Sequence, residues 1–129
     1  LGLKETVDKF FNNHSETSEK HSDPQLQTHY FKTTKDKAFQ IVESYFHNKS
    51  GCDIIATSHE HGEISLNLHG KKKAFIIITI VMVKPFRTAI DFSVTTESVL
   101  PFDLGYSHRL IPTLYQTLSE KMTCIERAN

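Results

Sequence analysis

The short stretch "DLGYSHR" (103–109) gathers Asp103, Gly105, His108 and Arg109, a polar group at a helix start that could form an anion-binding pocket. Backbone N–H groups at a helix start point outward and favour negative ligands. An imidazole and a guanidinium beside them add side-chain donors, and Gly105 can take a backbone angle that other residues avoid. The plainer reading of the same residues is a helix start, with Asp103 as cap and Arg109 paired to Asp103 or to another acid. A second cluster, "SHEHGEIS" (58–65), sets His59 and His61 on either side of Glu60, with Glu63 close by. In an extended chain residues i and i+2 share a side, so an H-x-H pair can chelate a metal. The third ligand has to come from elsewhere, with His29, His69 and His108 as the sources. Without that ligand the segment is a polar hairpin loop ending at Gly62. "GKKKA" (70–74) puts three lysines at a turn, which could touch a phosphate but reads more simply as a solvated hairpin tip.

Catalytic patterns are missing from the rest of the chain. It has no G-x-S-x-G, no H-E-x-x-H, no phosphate-binding glycine loop and no G-x-G-x-x-G. Cys52 and Cys124 lie far apart and outside any C-x-x-C, which fits buried thiols in a reducing cytoplasm rather than a disulfide framework or a zinc site. This points away from an enzyme and implies no cofactor. A metal-dependent enzyme using His59 and His61 is the alternative, and it requires the missing ligand and an open coordination position.

The 129 residues suit one domain, and 38% apolar with 23% charged residues is ordinary globular composition. Fifteen basic residues balance fifteen acidic ones. A basic field for nucleic acid is therefore absent. Eight histidines make the charge sensitive to mild acid. The longest apolar run, "AFIIITIVMV" (74–83), is strand length and far short of the ~18 residues of a membrane span. The chain begins at Leu1 rather than Met, which leaves room for a leader removed upstream.

These residues need elements to position them. "LGLKETVDKFF" (1–11) has Leu3, Val7, Phe10 and Phe11 at helical spacing, and 12–27 is a polar stretch with Pro24. Together they read as an N-terminal amphipathic arm and linker, residues 1–27, ahead of one domain at 28–129. Within that domain 28–33 is a short strand. Residues 34–48 form the clearest helix, with Ala38, Ile41, Val42, Tyr45 and Phe46 along one face. Four strand-like runs follow at 52–58, 63–69, 73–83 and 88–97. The second alternates Ile64, Leu66 and Leu68 with Ser65, Asn67 and His69; the fourth alternates Ile90, Phe92 and Val94 with Asp91, Ser93 and Thr95. A last helix carries Ile111, Leu114, Tyr115, Leu118, Met122 and Ile125, with Pro112 placed in its first turn.

The expected architecture is α+β: an order β-α-β-β-β-β-α, a twisted antiparallel sheet with helices packed on one face, and the N-terminal helical arm. That order is similar to one repeat of the TATA-binding-protein fold, a likeness of topology that carries no function. The strand at 73–83 is apolar on both faces. Its second face is expected to be covered by the arm or by a second copy in a homodimer.

The segment "AIDFSVTTESVLPFDLGYSHRLIPTLYQTL" (89–118) resembles the end of a bacterial family of small uncharacterised proteins. There an acidic strand precedes a D-L-G-x-x-x-x-R-I-like helix start, and Asp91, Asp103, Leu104, Gly105 and Arg109 occupy the similar positions. Leu110 intervenes between Arg109 and Ile111, and the family's cysteine-bearing N-terminal segment is missing here. The resemblance implies no assigned activity. The reading is a small binding or protein-interaction module of the cytoplasm, whose partner is a protein or a small apolar or anionic ligand. Nucleic-acid binding through the sheet is the third reading, and the zero net charge argues against it.

Overall fold

A computed structural model describes residues 14–97 and 105–127. Among them the strands are β1 (His14–Glu16), β2 (His29–Phe31), β3 (Cys52–Ser58), β4 (Glu63–His69), β5 (Lys73–Lys84), β6 (Arg87–Thr96) and β7 (Cys124–Arg127), and the helices are α1 (Lys35–Asn48) and α2 (Tyr106–Lys121). The strands form one open sheet in the order β3-β4-β5-β6-β2-β7, with β1 also on β6. Every pairing is antiparallel. β1 lies opposite Ser93–Thr95 and β2 opposite Thr88–Ile90, so the two short strands share one edge of β6 with a gap between them.

The alternation read from the sequence sets the layers. Ile64, Leu66 and Leu68 of β4, Ala74, Ile76, Ile78 and Ile80 of β5, and Ile90, Phe92 and Val94 of β6 are buried in one cluster. Ala38, Phe39, Val42 and Phe46 of α1 and Ile111, Leu114, Tyr115 and Leu118 of α2 join the same cluster, so both helices cover the same face. Each large side chain buried there contributes about 1.5–3 kcal/mol. Thr34 caps α1 by accepting from the Lys37 N–H at 3.3 Å, and Asp36 in the first turn suits the helix dipole.

Four local expectations are corrected. The stretch read as a linker forms β1 from His14, then a 3-10 turn at Pro24–Leu26 that sinks Leu26 into the core. Its polar residues misled because a three-residue edge strand is held by backbone pairing rather than by an apolar face. The last helix stops at Lys121; Met122 is extended, and Cys124–Arg127 turn back as β7 against β2. β-branched Thr123 and Ile125 favour that outcome. Pro112 stands in the second turn of α2 rather than the first, because the helix begins at Tyr106. The buried stripe of α1 is rotated to include Phe39, leaving Ile41 and Tyr45 only partly buried. The arm at 1–11 lies outside the described residues.

Phe75 and Val81 on the second face of β5 are exposed and Ile77 is half-buried. The cysteines are unbonded and half-buried. They sit on β3 and β7, the two outer strands, five inter-strand steps of about 4.8 Å apart, far beyond disulfide reach. Burial, and then the Asp53 carboxylate, push the Cys52 thiol up from its ordinary range.

Candidate functional site

The helix start at 105 is a capping structure. Gly105 is the N-cap at φ 85°, in the left-handed region, and its carbonyl accepts from the Arg109 N–H at 3.0 Å. Gly105 has no side chain with which to cap the helix itself. Asp103 lies outside the described residues. His108 and Arg109 diverge: Arg109 is exposed, whereas His108 is buried with Nε2 2.6 Å from an Asp23 carboxylate oxygen. Asp23 also accepts from the Gln25 N–H at 2.9 Å, and its own N–H donates to His21 Nδ1 at 2.9 Å. The His108–Asp23 contact therefore ties the 3-10 turn to α2, and a side chain proposed as a ligand is spent on holding two elements together.

The other candidate pair also separates. His59 packs its ring on Phe39, with centroids 4.0 Å apart, and His61 Nδ1 meets the Ser58 hydroxyl at 3.0 Å. His69 Nε2 lies 3.2 Å from Asp53. Among the described residues no group of three or more His, Cys, Asp or Glu side chains gathers to hold a metal. The turn itself depends on Gly62, which has φ 65° and whose carbonyl accepts from the Ile80 N–H at 2.7 Å. A Cβ there would meet the Ile80 carbonyl oxygen at 2.2 Å.

The gap between β1 and β2 holds a polar junction that sequence reasoning missed. Asp91 accepts from the Thr17 and Thr28 hydroxyls, both at 2.6 Å. Thr17 in turn accepts from the Phe92 N–H at 3.0 Å. From α2, the Tyr115 hydroxyl donates to the Ile90 carbonyl at 2.5 Å, and its ring stacks on His29 with centroids 3.6 Å apart. His29 Nδ1 lies 2.9 Å from the Gln27 carbonyl, which only accepts, so Nδ1 is the donor. Burial, with the nearby Asp91 charge adding to it, pushes the Tyr115 phenol well above its ordinary range. A cavity of about 320 Å³ borders the junction, lined by Gln25, His29, Pro112, Tyr115, Gln116 and Ser119. The junction closes a break in the sheet edge, and its polar groups are spent on one another.

The end of the β5–β6 hairpin is different. β4 pairs with β5 only as far as Thr79, while β5 continues to Lys84. The overhang carries Val81, Met82 and Val83, and the turn adds Phe86; all four are exposed, Phe86 by 61%. Pro85 takes the first central position of the two-residue turn, where its fixed φ fits. Phe86 follows at φ 56°. With proline first, a positive φ at the second position defines a type II turn, which normally asks for glycine or asparagine. A bulky aromatic there costs on the order of 1–3 kcal/mol. The pairing register also shifts between Met82 and Lys84. Arg87 closes the turn opposite Lys84 and holds its guanidinium 4.2 Å over the Tyr30 ring. Tyr30 is buried and donates to the Glu19 carboxylate; burial first, then that bond, push its phenol up to about 12. Two signals for this region stand in the sequence: a strand run longer than its neighbour's, and Pro-Phe where Pro-Gly is expected.

No protein-family model, no curated protein and no solved structure matches the chain.

Proposed function

We propose that this chain is a binding module without catalytic machinery of its own, and that its working surface is the projecting end of the β5–β6 hairpin. One observation carries the reading: four large apolar side chains within six residues of that end are exposed, one of them in a backbone conformation that disfavours it. Stability alone selects against both features. A residue kept against the local rule is the mark of a contact made elsewhere.

The expected order β-α-β-β-β-β-α, to which β1 and β7 are added, suggests a TATA-binding-protein-like repeat, and the proposal does not extend to a nucleic-acid role. Across β3 to β6 the cationic residues are Lys73, Lys84 and Arg87 alone, and none forms a stripe along the sheet. A polar small molecule in the cavity beside His29 is the second reading, favoured by the imidazole and the Gln25 and Gln116 amides that line it.

The test is binding of a fluorescent apolar dye to the intact chain and to a Val83→Ser, Phe86→Ser variant. The expected result is a clear fall in dye signal with an unchanged circular dichroism spectrum. Unchanged dye binding, or loss of the fold, contradicts the reading.

A further inference from the structure

We infer that the hairpin end docks on the surface of a lipid bilayer containing anionic headgroups, an inference that rests on the hairpin being the working surface. The shape comes first. Val81, Met82 and Val83 lie on the part of β5 that runs beyond β4, and Phe86 lies in the turn, all of them exposed. A convex apolar tip needs a matching hole in a folded partner, whereas a fluid bilayer deforms around it.

Charge supports the same occupant. From Ala74 to Ile90 the chain has no acidic residue. Lys84 and Arg87 flank the turn, and exposed Lys32 follows β2, whose Phe31 pairs with Thr88 at the same end of the sheet. Cations bordering an apolar tip suit an interface in which the apolar side chains reach the acyl boundary. Lysine can lie along that boundary while its ammonium stays among the headgroups. The acidic residues of neighbouring elements toward this end are Asp36 on α1, Glu60 in the β3–β4 turn, Glu63 at the start of β4 opposite Thr79, and Glu19, which accepts from Tyr30 beneath Arg87; none belongs to the hairpin.

The backbone argues against strand addition by a second copy. Past Ile80, whose N–H still donates to the Gly62 carbonyl, β5 has no further strand partner on its β4-facing edge among the described residues, which is the usual invitation to such pairing. Here the edge is spoiled within a few residues. The register breaks between Met82 and Lys84, Lys84 brings a charge, and Pro85 has no N–H to donate. What remains usable is the apolar side-chain surface, not the backbone. Docking also requires no spanning segment, and among the described residues no helix is long and apolar enough to cross a membrane.

Flotation of the full chain with vesicles tests this. One set is pure phosphatidylcholine and the other contains roughly a third phosphatidylglycerol, chosen to supply the surface charge that basic residues sense. The chain is expected to float with the anionic vesicles, several-fold less with the neutral ones, and less again at high salt. A Met82→Ser, Phe86→Gly variant is expected to lose about tenfold or more of its partitioning, and Lys84→Glu a smaller part. Absence of flotation in the unaltered chain, or flotation that these variants leave unchanged, overturns the assignment. If flotation fails while the hairpin serines still abolish dye binding, the bilayer is wrong and the working surface stands. A concentration-dependent dimer abolished by Phe86→Gly, without flotation, transfers the surface to a second copy and also overturns the bilayer. If flotation fails and the serines leave dye binding unchanged, both proposals fall.

Discussion

The middle of β6 and its Arg87 end meet their surroundings in opposite ways. Around Ile90 to Phe92 the strand lacks a continuous neighbour on one edge, and the defect is repaired: Asp91, Thr17, Thr28, Tyr115 and His29 satisfy one another. Among the described residues no buried side-chain nitrogen or oxygen lacks a hydrogen-bond partner. Around Arg87 the same strand enters a turn that is exposed, apolar and conformationally unfavourable, and nothing among the described residues repairs it. That contrast, a difficult gap closed and a simple turn left strained, is what the proposed external contact at the turn accounts for.

Substitutions can break or sharpen that contrast. The largest effect is expected at the junction. Asp91→Ala leaves two buried threonine hydroxyls without their acceptor and should cost on the order of 3 kcal/mol, read as a lower midpoint in urea denaturation. A change under about 0.5 kcal/mol, the usual range for an ordinary surface position, would mean that the junction is not structural.

Tyr30 gives a smaller, pH-dependent effect. Its phenol loses a proton near pH 10 in the unfolded chain but only near about 12 in the folded one. The unfolded state releases its proton first, so the contribution of the protonated phenol is complete below about pH 10 and fades as pH rises toward about 12. The denaturation midpoint should fall over that window, and fall less in Tyr30→Phe. Parallel declines in the two proteins would remove Tyr30 from the account.

How much of this the sequence disclosed depends on the kind of interaction involved. Alternation in 63–69 and 88–97 stands in the structure as read, and 34–48 is a helix with its buried stripe turned toward Phe39, because periodicity reports one-sided burial directly. β1 and β7 were hidden: each is short, and backbone pairing to a distant strand leaves little trace in local composition. The junction was hidden for a related reason, since Thr17, Asp91 and Tyr115 are brought together by the sheet and α2 across some 74 and 24 residues of chain. His108 was legible as a special residue but not its partner, because Asp23 belongs to a segment that looked like a linker. At the hairpin the turn was legible from Pro85, whereas the overhang follows from β5 and β4 having unequal lengths, a fact of pairing.

The smallest expected effect on stability belongs to the most direct measurement: thermal melting of the Phe86→Gly chain beside the unaltered one. Glycine relieves the left-handed strain but adds freedom to the unfolded state, and the two terms nearly offset. The account predicts a melting temperature equal to or slightly above the original, together with reduced binding of an apolar dye. A fall of several degrees would show that the Phe86 side chain holds the fold together, and would contradict the claim that it is kept for an external contact.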